Sequence, residues 1–153
     1  IHTPGHQPDH SSIYIPEIRT LFVGDAAEQP IPYLADFATL PLLRESLQRL
    51  AAYDAQTAFY CHARGITSPQ VIHDNIAYFD EVERRVRESP LPVLESLDEA
   101  TDWEALIDFP FEQVRGVERM AADEREAYRD NHRRAIAAMT HWIKNVPRGR
   151  STP

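Results

Sequence analysis

His2-Thr3-Pro4-Gly5-His6 opens the chain, Asp9-His10 follows, and the next hydrophobic run, Leu21-Phe22-Val23, ends at Gly24-Asp25. Imidazoles at His2, His6 and His10 thus sit on a loop punctuated by proline and glycine, with a carboxylate placed at a strand end. Neutral imidazole nitrogen and carboxylate oxygen are ligands that suit zinc, and also iron or manganese. Such a combination points to a metal-dependent hydrolase. The chain begins at Ile1, inside this stretch and without an initiator Met, and so reads as the C-terminal part of a larger enzyme.

Working outward, 11–15 and 20–23 are β-branched and aromatic runs separated by Pro16-Glu17, the pattern of two antiparallel strands. Pro30 and Pro32 mark a loop. Thr39 and Pro41 then start a helix with Leu43, Leu47 and Leu50 on one face, which should cover a sheet. Thr57-Ala58-Phe59-Tyr60-Cys61 is a third strand and delivers His62 at its end. Ser68-Pro69 starts a second helix, whose stripe of Ile72, Ile76, Phe79, Val82 and Val86 runs as far as Glu88. Beyond Pro90 and Pro92 the chain turns acidic and helical, from Asp98 to Phe109 and then in a long helix from about Ala122 to Asn145. In that helix Tyr128, His132, Ala135, Ile136, Met139, Trp142 and Ile143 fall close to one face. The tail from Pro147 to Pro153 reads as frayed.

The order of strands and helices gives an α/β fold, with residues 1–88 as one unit and 89–153 as a helical extension. A chain of 153 residues with 42% hydrophobic content is long enough to bury a core. A net charge of −8 argues against a nucleic-acid partner. Cys61 is the single cysteine, which rules out an intrachain disulfide and fits a reducing cytoplasm. No apolar stretch approaches the roughly 20 residues that span a bilayer, so a membrane is not expected either.

Three pieces carry a family resemblance: His2-Thr3-Pro4-Gly5-His6, the strand pair ending in Leu21-Phe22-Val23-Gly24-Asp25, and Tyr60-Cys61-His62-Ala63-Arg64-Gly65 ahead of the second helix. Together, over residues 1 to 88, they resemble the second half of the metallo-β-lactamase superfamily. The resemblance implies half of an αββα sandwich, in which helices flank two packed mixed sheets, with the helical extension added. It makes His6 a ligand of the first metal, His62 a ligand of the second, and Asp25 the bridging carboxylate and the catalytic residue of this chain. His2 and His10 match variants of the motif and are candidates for supporting or substrate-side roles.

Two departures stand out. The family's upstream His-x-His-x-Asp-His motif is not in this chain, and Cys61-His62-Ala63 stands where the family has Gly-His-Gly. Asp25, where the antibiotic-cleaving zinc enzymes often carry cysteine, makes the chain more similar to the glyoxalase II, lactonase and thioesterase branches. The implied activity is hydrolysis of a small-molecule ester, thioester or lactone by a hydroxide held between two zinc ions, with iron or manganese as other metals. The missing N-terminal half, or a second chain, would supply the remaining ligands. Two other readings stay open: a mono-iron sulfur dioxygenase of the same superfamily, and an inactive fragment or interaction module.

The remaining chemistry-bearing residues have plainer readings. Cys61 ends what looks like a buried strand and is expected to pack as a small apolar group. His73 is expected on an exposed helix surface, His132 and His141 in structural or solvent-facing places, and the acidic clusters at Glu95 to Asp108 and Asp123 to Glu126 on solvated helix faces. Trp103, Phe109, Phe111, Tyr128 and Trp142 are too many aromatic rings for an idle tail. They imply either a helical cap over the active-site mouth or packing against a second subunit of a homo-oligomer.

Overall fold

The computed structural model describes residues 1–63, 65–93 and 102–145. Arg64, the acidic stretch around Glu95 and the tail from Pro147 lie outside the described residues. Ile13–Ile15 (β1) and Thr20–Gly24 (β2) pair antiparallel, and Thr57–Tyr60 (β3) pairs parallel to β2, so β2 is the central strand. The parallel pairing needs a crossover, which Leu40–Ala51 (α1) supplies between β2 and β3. Gln70–Glu88 (α2), Trp103–Leu106 (α3) and Arg125–Asn145 (α4) complete the fold.

Side chains alternate across the sheet, and the two faces differ in character. Leu21, Val23 and Ala58 are fully buried and join Leu43, Leu47 and Leu50 of α1 and Phe79, Val82 and Val86 of α2 in one core. On the other face Ile13, Phe22 and Phe59 form a cross-strand row, exposed by 61%, 43% and 44%. Phe22 and Phe59 stack with ring centroids 5.3 Å apart.

The helix starts follow local chemistry. Pro41 sits in the first turn of α1, but the side chain that caps the preceding turn is Asp36, which accepts from Ala38 N–H at 2.9 Å; Thr39 instead donates to the Asp36 carbonyl at 2.7 Å. Ser68 Oγ accepts the Gln70 N–H at the start of α2. α4 begins at Arg125, three residues later than its apolar pattern implies, after a turn over residues 122–124.

Residues beyond α2 share the core of the sheet. Leu91, Phe109, Phe111, Val114 and Val117 bury together with Ala135, Ile136, Ala138 and Met139 of α4, in the same cluster as Leu21 and Phe79. His132 of α4 is fully buried at this seam. Its Nε2–H donates to the Phe109 carbonyl at 2.8 Å, which leaves Nδ1 to accept from the Tyr78 hydroxyl at 2.8 Å. That pairing requires the neutral ring. His73 and His141 are exposed, as their positions on the helices imply.

Burial holds the His132 imidazole below its ordinary range; Arg129 and Arg133 act in the same direction, while the Phe109 carbonyl and Glu104 oppose them. The unfolded chain therefore binds a proton here before the folded one does, and stability present above about pH 6.5 is lost as pH falls below it. Urea unfolding followed between about pH 7.5 and 5.5, on either side of that value, should show the midpoint dropping toward acid. His132→Gln keeps a donor and an acceptor but does not titrate, and it should flatten that drop.

Candidate metal centre

The N-terminal loop reaches the carboxyl end of β2 because it is tied to the sheet and seated on α1. Thr3 N–H donates to the His10 carbonyl and Ser12 N–H to the Ile1 carbonyl, both at 2.9 Å. Gly5 lies against the α1 backbone with φ +138°, where a Cβ would stand 2.5 Å from Leu43 Cα; only glycine fits. Ser46 of α1 donates to the Pro4 carbonyl at 2.7 Å.

A chain of hydrogen bonds then runs from this loop to Asp25. The Asp25 backbone N–H donates to His10 Nε2 at 3.2 Å, so the proton of the neutral ring is on Nδ1. His10 Nδ1–H donates to Thr3 Oγ1 at 2.8 Å, Thr3 donates to Ser12 Oγ at 3.0 Å, and Ser12 donates to the Val23 carbonyl at 3.0 Å. Thr3 and Ser12 are buried. Burial, helped by the nearby His6, keeps His10 below the ordinary imidazole range, although Asp25, Thr3 and Asp9 pull the other way. Gly24 makes the approach of the ring possible. It has φ +66°, and a Cβ there would meet His10 Nε2 at 2.8 Å.

Asp25, so held, stands between the other two residues. His62 Nε2 lies 3.3 Å from Asp25 Oδ1, and His6 Nε2 lies 4.0 Å from Oδ2. Two polar atoms here are buried without a hydrogen-bond partner: His6 Nδ1 and Asp25 Oδ1. Buried nitrogen and oxygen are normally paired, so each of these atoms has a bonding position to spare beside the Asp25 carboxylate. Among the described residues, however, no group of three or more His, Cys, Asp or Glu side chains could hold a metal ion by itself. His6 and His62 thus each approach a different oxygen of Asp25, at 4.0 and 3.3 Å, without the three forming a group that could hold a metal. His2 stays outside, with Nε2 donating to the Pro8 carbonyl at 2.9 Å on the exposed side of the loop.

Cys61 departs from its expected role. It follows β3, which ends at Tyr60, on the side of the exposed Phe59, and is itself exposed rather than packed. Partial desolvation and then the Asp25 carboxylate push its thiol up, so it remains S–H.

Two further residues around the site carry no sequence signal. Glu28, three residues past Asp25, is only 4% exposed. Asn75, fully buried on α2, clamps it from behind: Glu28 N–H donates to Asn75 Oδ1 at 3.0 Å, and Asn75 Nδ2 donates to the carbonyls of Glu28 at 2.9 Å and Pro30 at 3.1 Å. The Tyr128 hydroxyl, from α4, donates to Glu28 Oε2 at 3.1 Å. Burial pushes the Glu28 carboxyl up, opposed by His62 and Tyr128. The loop that follows closes one side of the site. Tyr33 stands edge-on to His6 at 6.1 Å, and Arg134 of α4 lies over the Tyr33 ring at 5.4 Å while donating to the Leu34 and Ala35 carbonyls.

The family model of the metallo-beta-lactamase superfamily matches residues 1–62. A metallo-beta-lactamase family protein from Thermus thermophilus, known from its crystal structure, shares the fold with a TM-score of 0.56 and 22% identity. The match covers 94% of this chain and 42% of that protein, so the chain spans less than half of its neighbour's length. No curated protein matches the chain.

Two substitutions test this construction. Gly24→Ala places a side chain in a left-handed conformation and against His10; the strain alone is about 1–2 kcal/mol, and the His10 Nδ1–H resonance should shift or broaden by NMR as the ring moves. Asn75→Ala leaves the buried backbone N–H and C=O groups at Glu28 and Pro30 unpaired, and should lower urea stability by about 3 kcal/mol.

Proposed function

We propose, for a chain whose residues 1–62 match the metallo-beta-lactamase superfamily model and which shares that fold, that it carries one side of a two-metal hydrolytic centre acting on an ester, thioester or lactone. The observation behind this reading is the pair of buried, unpartnered atoms, His6 Nδ1 and Asp25 Oδ1, where two imidazoles flank one carboxylate. When bound, the metals would polarise a carbonyl and make a water acidic enough to attack it.

The chain's own residues have distinct parts in this. Asp25 offers two oxygens, one toward His6 and one toward His62, which is the disposition of a bridging ligand. His62 is the more open of the pair, with 61% of its side chain accessible against 20% for His6, so the His62 side is where substrate enters. His10 is not a competing ligand, because Nε2 already accepts from Asp25 N–H and Nδ1 donates to Thr3. It holds the Asp25 backbone from which the carboxylate projects, and preorganisation of this kind is what electrostatic stabilisation of a developing oxyanion requires. Zinc is the metal that the His and Asp donor set suits best, with iron or manganese as substitutes.

Three ligands that do not close a shell imply further donors from elsewhere. We place them on an N-terminal half or a second polypeptide that packs on the exposed row of Ile13, Phe22 and Phe59. That row joins the site through Phe22, two residues before Gly24, and Phe59, three residues before His62. A partner there would remove from water a face that a soluble protein ordinarily covers. A single exposed thiol, Cys61, fits a reducing compartment such as the cytoplasm. No helix among the described residues is long and apolar enough to cross a membrane.

Native mass spectrometry of undenatured material tests the proposal, because it reports metals and partner chains together. Two zinc ions in a complex with a second polypeptide, lost in His62→Ala, are the expected result. Iron as the sole metal with oxygen-dependent turnover would instead support the sulfur-dioxygenase reading. A bare monomer with no affinity for added zinc would contradict both.

A further inference from the structure

Between α2 and the segment 109–115 lies a cavity of about 330 Å³, at the small end of the range for small-molecule sites. None of His6, Asp25 and His62 lines it. Its apolar wall is made by Pro30, Ala77, Tyr78, Phe109 and Val114, and charged side chains join them from α2, as Asp74, Glu81 and Arg85, and from the facing segment, as Arg115. Those on α2 are already occupied. Glu81 accepts from both Arg84 and Arg85. Arg85 also donates to the Ile107 and Asp108 carbonyls and lies over the Phe109 ring at 4.7 Å. Asp74 Oδ1 accepts from Gln70 Nε2 at 3.0 Å and from Arg115 Nη1 at 2.7 Å.

Arg115 has donors to spare. Its Nε and Nη2 reach no acceptor among the described residues, and 73% of its side chain is accessible. An ion pair that exposed holds its partners weakly. Arg115 and Asp74 also border a second cavity of about 190 Å³, so the guanidinium has room to turn. What the larger cavity leaves unmet is therefore a planar fork of N–H donors, which matches the two oxygens of a carboxylate. A doubly charged phosphate would meet Asp74 and Glu81 on the same wall, so one negative charge suits the place better than two.

We propose that this cavity is a binding site for a small organic monocarboxylate, with its acid group on Arg115 and its apolar body against Ala77, Phe109 and Val114. The site is separate from the candidate metal centre and takes its ligand without a metal.

Phenylacetate, titrated into the full chain carrying 13C-labelled methyl groups, is the probe, with its neutral amide and phenethylamine as controls for charge. Phenylacetate should shift the Ala77 and Val114 methyl resonances and saturate at millimolar concentration, as befits a ligand of so few atoms. Arg115→Gln, at an exposed position, should weaken that binding about tenfold or more and leave the melting temperature unchanged. Ala77→Leu fills the cavity from an exposed position on α2 and should block binding with Arg115 intact.

Binding of phenethylamine in place of phenylacetate would overturn the proposal, since Asp74 rather than Arg115 would then be the recognising group. Equal binding of phenylacetate and its amide, or phenylacetate binding that survives Arg115→Gln, would overturn it by reducing the cavity to an apolar crevice. Binding untouched by Ala77→Leu would put the acid elsewhere on the protein, and the absence of any saturable shift would leave the cavity without a ligand; either result contradicts the proposal.

Discussion

The hydrogen bond from the Asp25 backbone to His10 Nε2 joins the two segments on which the site is built. β2 brings Asp25 to the end of the sheet, but a residue at a strand end can point in several directions. The imidazole fixes the backbone at Asp25, and His10 is itself held through Thr3 and Ser12 back to the carbonyl of Val23, on the same strand. The loop is thus closed on the strand that it positions. Gly24 and Gly5 belong to the same constraint: one lets the ring approach the backbone, the other lets the loop lie on α1. With those in place, His6 comes within 4.0 Å of one oxygen of Asp25, and β3, paired parallel to β2, brings His62 within 3.3 Å of the other.

From there the dependence runs into the helices. Asn75 of α2 fixes the backbone just past Asp25, Tyr128 of α4 holds the Glu28 carboxyl, and Arg134 of α4 pins the loop whose Tyr33 stands beside His6. The residues after α2 are therefore part of the wall of the site as well as of the core. Two unpartnered buried polar atoms cost stability where they stand, and local features of this kind cluster where a protein binds something.

Much of this is legible in the sequence, because the relevant residues sit at strand and helix ends whose periodicity is plain. Asp25 and His62 follow the ends of recognisable strands, His6 sits on a loop marked by Pro4 and Gly5, and alternation in β2 separates Leu21 and Val23 from Phe22 correctly. The apolar look of the 57–61 run misleads at Cys61: alternation from the buried Ala58 and exposed Phe59 puts the thiol on the exposed face, where it is found. Glu28 and Asn75 give no signal. They are 47 positions apart and meet only when α2 packs behind the loop. The apolar face of α4 can be read from its period, but not the surface it covers. Whether Tyr128 reaches the site depends on how α4 crosses α2, and that angle is set by packing rather than by any local pattern.

The proposed function requires Asp25, its backbone held by His10, to share a metal ion with His62. A crystal structure of the protein grown with zinc, with anomalous differences collected on both sides of the zinc absorption edge, tests it most directly. The account predicts a peak at bonding distance, about 2.0–2.2 Å, from a carboxylate oxygen of Asp25 and a ring nitrogen of His62, with the Asp25 N–H still bonded to His10. A zinc peak remote from Asp25, or an Asp25 carboxylate turned away with its bond to His10 broken, would contradict it.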